Sequence, residues 1–102
     1  MNSILKKCNE ILSDHYGDKL ERLILYGSMA RGEADVLSDI DLLVLLKEPF
    51  NYFEELRTIV DLLYPIQLES KNLISAKPAS KEEFEAGEIL LYRLAKREGI
   101  AA

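Results

Sequence analysis

The sequence predicts an α+β fold: a small mixed β-sheet of three or four strands covered by helices, in the order αβαβαβα. Three observations carry that prediction. Segments with apolar residues at helical spacing alternate with short, unbroken apolar runs. Gly27-Ser28 closes one such run, Leu23-Ile24-Leu25-Tyr26, whereas Asp39-Ile40-Asp41 opens the next. If turn and carboxylates serve one site, those two strands run antiparallel, which argues against a doubly wound parallel sheet. The pattern G-x-x-x-x-G-K-[ST] is absent, which argues against a P-loop.

Residues 2 to 16 read as a helix, because Ile4, Leu5, Cys8, Ile11, Leu12 and His15 recur along one face and Gly17 suits a C-terminal cap. His15, the single histidine, falls at the helix end beside the negative pole of the dipole. Residues 21 to 26 form strand one, 29 to 34 a short helix or turn, and 39 to 46 strand two. The run Leu42-Leu43-Val44-Leu45-Leu46 has no polar alternation, so both its faces are expected to be covered. Phe50-Asn51 opens a second helix, with Asn51 and Glu54 spaced as a capping box. Its expected buried stripe is Phe53, Leu56, Val60 and Leu63, and Pro65 is expected to end or sharply kink it. Strand three has two readings, Ile66 to Glu69 or Leu73 to Ala76, and the turn-like Ser70-Lys71-Asn72 could join both into a hairpin. Ser80 and Glu83 form a second capping box and open a helix to about Arg97, with Phe84, Leu91, Leu94 and Ala95 apolar and Gly99 as the stop.

At 102 residues the chain reads as one domain, 1–102, with room for one core. Its 48% hydrophobic and 30% charged residues are ordinary for a globular protein. No stretch approaches the ~18 apolar residues of a membrane span, and no signal-peptide core stands at the N-terminus. Cys8 is the sole cysteine, so no internal disulfide is available; its place on an apolar helix face suits core packing in a reducing compartment, with the cytoplasm as default. The net charge of −5 and the absence of a basic run disfavour a nucleic-acid partner, with Lys71 and Lys77 the residues around which a local patch could form. A nucleoside triphosphate is compatible with the acidic balance, because bound Mg²⁺ inverts the local electrostatics.

On a strand, Asp39 and Asp41 point to one face, about 6.5 to 7 Å apart along the chain. Carboxylates so placed can share Mg²⁺ (or Mn²⁺), which takes carboxylate oxygens together with substrate phosphates. Gly27 lets the backbone approach phosphate without a Cβ in the way and suits a positive φ. Ser28 offers a hydroxyl, and its N–H and those that follow can form an anion nest. Arg31 reads either as a forked phosphate contact or as the ion-pair partner of Glu33 or Asp35. Ser38 reads as a cap of the loop before the first carboxylate or as a substrate contact, and Tyr26 as core or pocket wall. Either motif alone is commonplace; their pairing at the ends of two apolar runs is what points to metal and triphosphate.

Gly27-Ser28-Met29-Ala30-Arg31-Gly32 followed by Ser38-Asp39-Ile40-Asp41-Leu42-Leu43-Val44 resembles the signature of the minimal nucleotidyltransferases, small members of the DNA-polymerase-beta-like superfamily. A looser likeness extends to Ser80-Lys81-Glu82-Glu83-Phe84 and Lys96-Arg97-Glu98-Gly99-Ile100. The resemblance implies Asp39 and Asp41 as catalytic metal ligands, with Gly27, Ser28, Arg31 and Ser38 on the nucleotide. It implies in-line transfer of a nucleoside monophosphate, AMP from ATP, to a hydroxyl acceptor. Active superfamily members usually carry another acid on strand three, often as base for the acceptor hydroxyl. If strand three is 66 to 69, Gln67 and Glu69 share a face and Glu69 could serve; if it is 73 to 76, no acid lies on it.

Minimal nucleotidyltransferases commonly accompany a small helical HEPN-domain partner, which they modify or mask in toxin–antitoxin pairs. A chain of this length has no room for an acceptor-recognition domain, which suits an acceptor supplied in trans. Antibiotic nucleotidyltransferases share the core but bring an additional domain for the drug. The alternative is a catalytically silent nucleotide- or partner-binding module, and a third reading is an orphan domain whose Asp-x-Asp only caps a strand.

Overall fold

The computed structural model describes residues 2–32 and 38–102. Helix α1 (Asn2–Tyr16) passes through a 3-10 turn, Gly17–Lys19, into β1 (Leu20–Tyr26). The short α2 (Ser28–Arg31) follows, then β2 (Ile40–Leu46), α3 (Tyr52–Glu69), β3 (Ile74–Ser80), α4 (Lys81–Ala86), α5 (Leu90–Glu98) and β4 (Ile100–Ala101). The strands lie in the order β3-β2-β1-β4. β1 is antiparallel to β2 and to β4, whereas β2 and β3 are parallel, so the sheet is mixed as expected. A parallel neighbour needs a crossover, and α3 supplies it. No helix among the described residues is long and apolar enough to cross a membrane.

The uniform apolarity of β2 follows from two covered faces. Leu42, Val44 and Leu46 join Leu23, Leu25 and Ala76 under α1 and α3, where Cys8, Leu12, Ile59, Leu63 and Ile66 complete the larger core. Leu43 and Leu45 point the other way, with Ile24 and Ala79, against Phe84 of α4 and Ala95 of α5. Both expected caps form: the Asn51 side chain accepts from the Glu54 N–H (3.0 Å) and Ser80 Oγ from the Glu83 N–H (3.2 Å).

Four expectations are corrected. Pro65 neither ends nor breaks α3, which runs on to Glu69. Pro65 and Asp61, whose carbonyl the proline leaves unpaired, both face solvent, and Leu63 and Ile66 are anchored in the core on either side. Residues 66 to 69 are therefore helical, and strand three is Ile74–Ser80, overlapping the 73–76 alternative and extending beyond it. The stripe that α3 buries is Ile59, Leu63 and Ile66, while Phe53 (77%) and Val60 (55%) are exposed. Two apolar stripes share this helix, and periodicity alone does not say which one meets the sheet. The last expected helix is two: Gly87 takes φ +65°, its N–H donates to Phe84 O and the Glu88 N–H to Glu83 O, a Schellman stop between α4 and α5. After Gly99 the chain adds β4, a short edge strand on β1 that was not foreseen.

Candidate active site

The antiparallel ladder pairs Tyr26 with Asp41, so the end of β1 and the start of β2 meet. The chain then turns at Gly27, with φ +77° and ψ −158°, a backbone conformation open to glycine. A Cβ at this position would overlap Asp41 Oδ2. The turn and the second carboxylate thus form one packed unit. The Ala30 and Arg31 N–H groups donate to the Gly27 carbonyl (3.1 and 3.2 Å), which leaves Ser28 and Met29 as the amide donors of the first turn. The expected anion nest is narrowed to those two.

Asp41 is half-buried and Asp39 exposed. Burial is the main reason the Asp41 carboxyl is held above the ordinary carboxylate range; the charge of Asp39 adds to it and Lys77 opposes it. Register places Ser75 beside Asp41 and Lys77 beside Leu43 on β3, so Tyr26, Asp41, Ser75 and Lys77 share one sheet face. Tyr26 is pushed up to about 12, first by burial and then by the charge of Asp41. A cavity of about 350 Å³ lies at the C-terminal end of β3, lined by Phe50, Tyr52, Ala79, Ser80, Glu83 and Tyr92 and by neither aspartate.

The loop carrying Ser38 and Asp39 is held from the 67–74 turn. Asn72 Nδ2 donates to the Ser38 carbonyl (2.8 Å) and the Ile40 N–H to Leu73 O (2.8 Å). Gln67 fixes that turn, its Oε1 accepting from the Ile74 N–H (2.6 Å) and its Nε2 donating to Asn72 O (3.1 Å). Ser70 adds a two-way bond, its hydroxyl donating to Asn72 O (2.8 Å) and accepting from the Asn72 N–H (3.1 Å). Sequence reasoning recognised Ser70-Lys71-Asn72 as a turn and missed what it holds, since a contact across 34 residues has no local signature.

The remaining expected residues fall in different places. Arg31 Nη1 pairs with Glu98 Oε2 at 3.3 Å, while its expected partners Glu33 and Asp35 lie outside the described residues. Glu69 ends α3 and pairs with Lys7 at 3.0 Å on the exposed surface. It is not on strand three, and β3 (ISAKPAS) carries no acid at all. Among the described residues no group of three or more His, Cys, Asp or Glu could hold a metal. The pair Asp39 and Asp41 nonetheless fits a hard divalent cation completed by phosphate oxygens: the donors are carboxylates, and the charge of Asp39 raises the cost of charging Asp41, which a cation would offset.

Residues 5–96 match the model of the nucleotidyltransferase domain family. A Methanocaldococcus jannaschii protein named "Putative protein adenylyltransferase" is 37% identical over 98 residues, spanning 90% of this chain and 93% of its own length. A second from that organism with the same name is 32% identical over 77 residues, or 72% and 77% of the two chains. A third so named is 49% identical over 45 residues, and there the match spans less than half of either protein, 44% of this chain and 46% of the other. The crystal structure of a "putative nucleotidyltransferase" from Sulfolobus solfataricus superposes with a TM-score of 0.58 over 97% of this chain and 78% of that one; at 21% identity it speaks for the fold. With the family model covering most of its length and a near-full-length relative at 37% identity, the chain belongs to the nucleotidyltransferase domain family.

Proposed function

We propose that the chain transfers a nucleoside monophosphate, AMP from ATP, to a hydroxyl group of a partner protein. The observation that carries this reading is the seating of Asp41 Oδ2 against Gly27, which joins the turn and the acidic pair into one site. The relatives named as protein adenylyltransferases support the choice of AMP and of a protein acceptor. Asp39 and Asp41 would hold Mg²⁺ or Mn²⁺, which when bound neutralises phosphate charge and aligns the attacking oxygen. Gly27 admits the phosphates to the backbone, and Ser28 offers its hydroxyl and N–H beside that of Met29. Arg31 exchanges Glu98 for a phosphate oxygen, and Ser38, held by Asn72, sets the position of Asp39. The acceptor oxygen forms its bond to the α-phosphorus as the bond to the bridging oxygen breaks and pyrophosphate leaves.

The partner is a small helical protein of the HEPN type, for which this chain acts as antitoxin in the cytoplasm. Calorimetry with ATP and Mg²⁺ tests the site: binding is expected for the native chain and lost in Asp39→Asn/Asp41→Asn while the melt stays cooperative. Unchanged binding in that folded double variant overturns the site. The lack of an acid on β3 favours one second reading, a nucleotide-binding module that masks its partner without turnover. Incubation with ATP, metal and the neighbouring gene's product, read by intact mass, separates them. A gain of one AMP supports transfer. Tight association with no gain across metals and all four nucleotides supports masking.

A further inference from the structure

Lys77 stands on β3 beside the acidic pair, where its charge favours the carboxylate of Asp41. Its Cα pairs with Leu43, two residues along the strand from the Asp41–Ser75 pair and on the same face. That offset is about 6.5 Å along β3 and one strand spacing, about 4.8 Å, across it, or about 8 Å between Cα atoms, a separation that a lysine and an aspartate side chain can close together. The side chain is half-buried. Among the described residues the side chains of Lys7, Lys19, Arg31, Arg93, Lys96 and Arg97 each meet a carboxylate or carbonyl oxygen, whereas those of Lys6, Arg22, Lys47, Arg57, Lys71 and Lys81, like that of Lys77, do not; what sets Lys77 apart is its place beside Asp41. Lys77 makes no such bond with any described residue, yet its charge acts on Asp41. With no direct partner among the described residues, that ammonium is available to an anion entering this face.

We infer that Lys77 is a phosphate ligand of this site: its ammonium meets the triphosphate from the β3 side, across Asp41 from the Gly27-Ser28 turn on the β1 side. Tyr26, Asp41 and Ser75 form one row across β1, β2 and β3, with the Gly27 turn just beyond it on the β1 side and Lys77 two residues along β3 from it. The chain would hold its nucleotide with a fixed protein cation in addition to the divalent one, at a sheet position where an acid would instead have bound more metal. This inference rests on the nucleotide site proposed above. A purely structural Lys77, present to offset the repulsion between the two aspartates, makes a different forecast, because its loss would not depend on how many phosphates the ligand carries.

The test is calorimetry on the full chain with ATP and with AMP, each in Mg²⁺ and in EDTA, for the native protein, Lys77→Gln, Lys77→Met and Lys77→Arg. Losing a charge-assisted contact is expected to weaken ATP binding about tenfold or more in Lys77→Gln and Lys77→Met, in both media. The loss for AMP is expected to be smaller, and Lys77→Arg to stay within about threefold of the native protein. A folded Lys77→Gln or Lys77→Met that binds ATP within about twofold of native overturns the inference, as does an equal loss for ATP and AMP. Asp39→Asn/Asp41→Asn in the same series separates the two levels. If the native chain binds ATP and that double variant does not, the site stands whatever Lys77 does; if the double variant binds as the native chain does, the site itself falls.

Discussion

At Gly27 a backbone conformation and a side chain from another strand set one requirement: φ is +77° and the Asp41 carboxylate occupies the space a Cβ would need. Gly27→Ala is therefore expected to cost about 1–3 kcal/mol in a denaturant titration and to displace Asp41, weakening ATP binding with it. Asp41 itself is kept at the expense of stability. Its charge is partly desolvated and repelled by Asp39, so Asp41→Asn is expected to raise the thermal midpoint of the ligand-free chain at pH 7 while abolishing metal-dependent ATP binding. A lower midpoint would show that the carboxylate holds the turn together instead. Cys8 contributes one part of the pH dependence. Burial pushes its thiol up to about 11, against about 8.5 in an unfolded chain. A folded pKa above the unfolded one contributes stability that is complete below about pH 8.5 and is lost as pH rises through about 11. Native Cys8 is expected to resist alkylation at pH 8 and react once urea unfolds the chain, and Cys8→Ala is expected to lose less stability than the native chain between pH 8 and 10.5.

The elements matter to the site through what they hold in place. The end of α3 and the 67–74 turn brace the loop that carries Asp39, and Asn72 is the side chain that reaches it. Asn72→Ala is expected to cost about 1 kcal/mol in stability, and to weaken metal-dependent ATP binding more than metal-free binding. Equal binding by native and variant in both media would show that the brace is dispensable. Inside the core, Leu63→Ala on α3 is expected to cost about 2–5 kcal/mol, measured by urea unfolding. Much of this framework was legible in local chemistry. Asn51 and Ser80 cap as their spacing implies, Gly17 and Gly99 stop their helices, and the uniformly apolar Leu42–Leu46 run is covered on both faces. The antiparallel pairing was also legible, because the two motifs sit at opposite ends of their strands. What local pattern did not carry was decided by packing. Pro65 survives within α3 because the core grips the helix on either side, and the Ile59–Leu63–Ile66 stripe meets the sheet in place of one through Phe53 and Val60. The Asn72–Ser38 contact and the β4 edge join segments far apart in the chain, beyond any window of periodicity.

On the scale of the whole molecule, the sheet order decides what chemistry can reach the aspartates. β2 lies between β1 and β3, so Asp41 has the Gly27-Ser28 turn on one side and the Ser75–Lys77 stretch on the other. In the proposed site the turn side would supply the phosphate contacts. The β3 side is where an acid could take the acceptor's proton, and this chain places a hydroxyl and an ammonium there. Glu69 does not replace the missing acid, being paired with Lys7 on the exposed surface at the end of α3. If the chain transfers AMP, the proton must leave to water or to a group of the partner, and transfer is expected to be slow. Ser75→Asp puts a carboxylate beside Asp41 on the same face. A positioned general base contributes about 10²–10⁴-fold where proton removal limits the rate. Transfer to the partner, followed by intact mass under single-turnover conditions, is therefore expected to accelerate at least about tenfold in Ser75→Asp, with Ser75→Asn unchanged as the control for shape. An equal rate in Ser75→Asp and the native chain would mean that the base is already supplied across the interface with the partner. No transfer in either, with ATP and partner both bound, would mean that this nucleotidyltransferase domain acts by holding its partner rather than by modifying it.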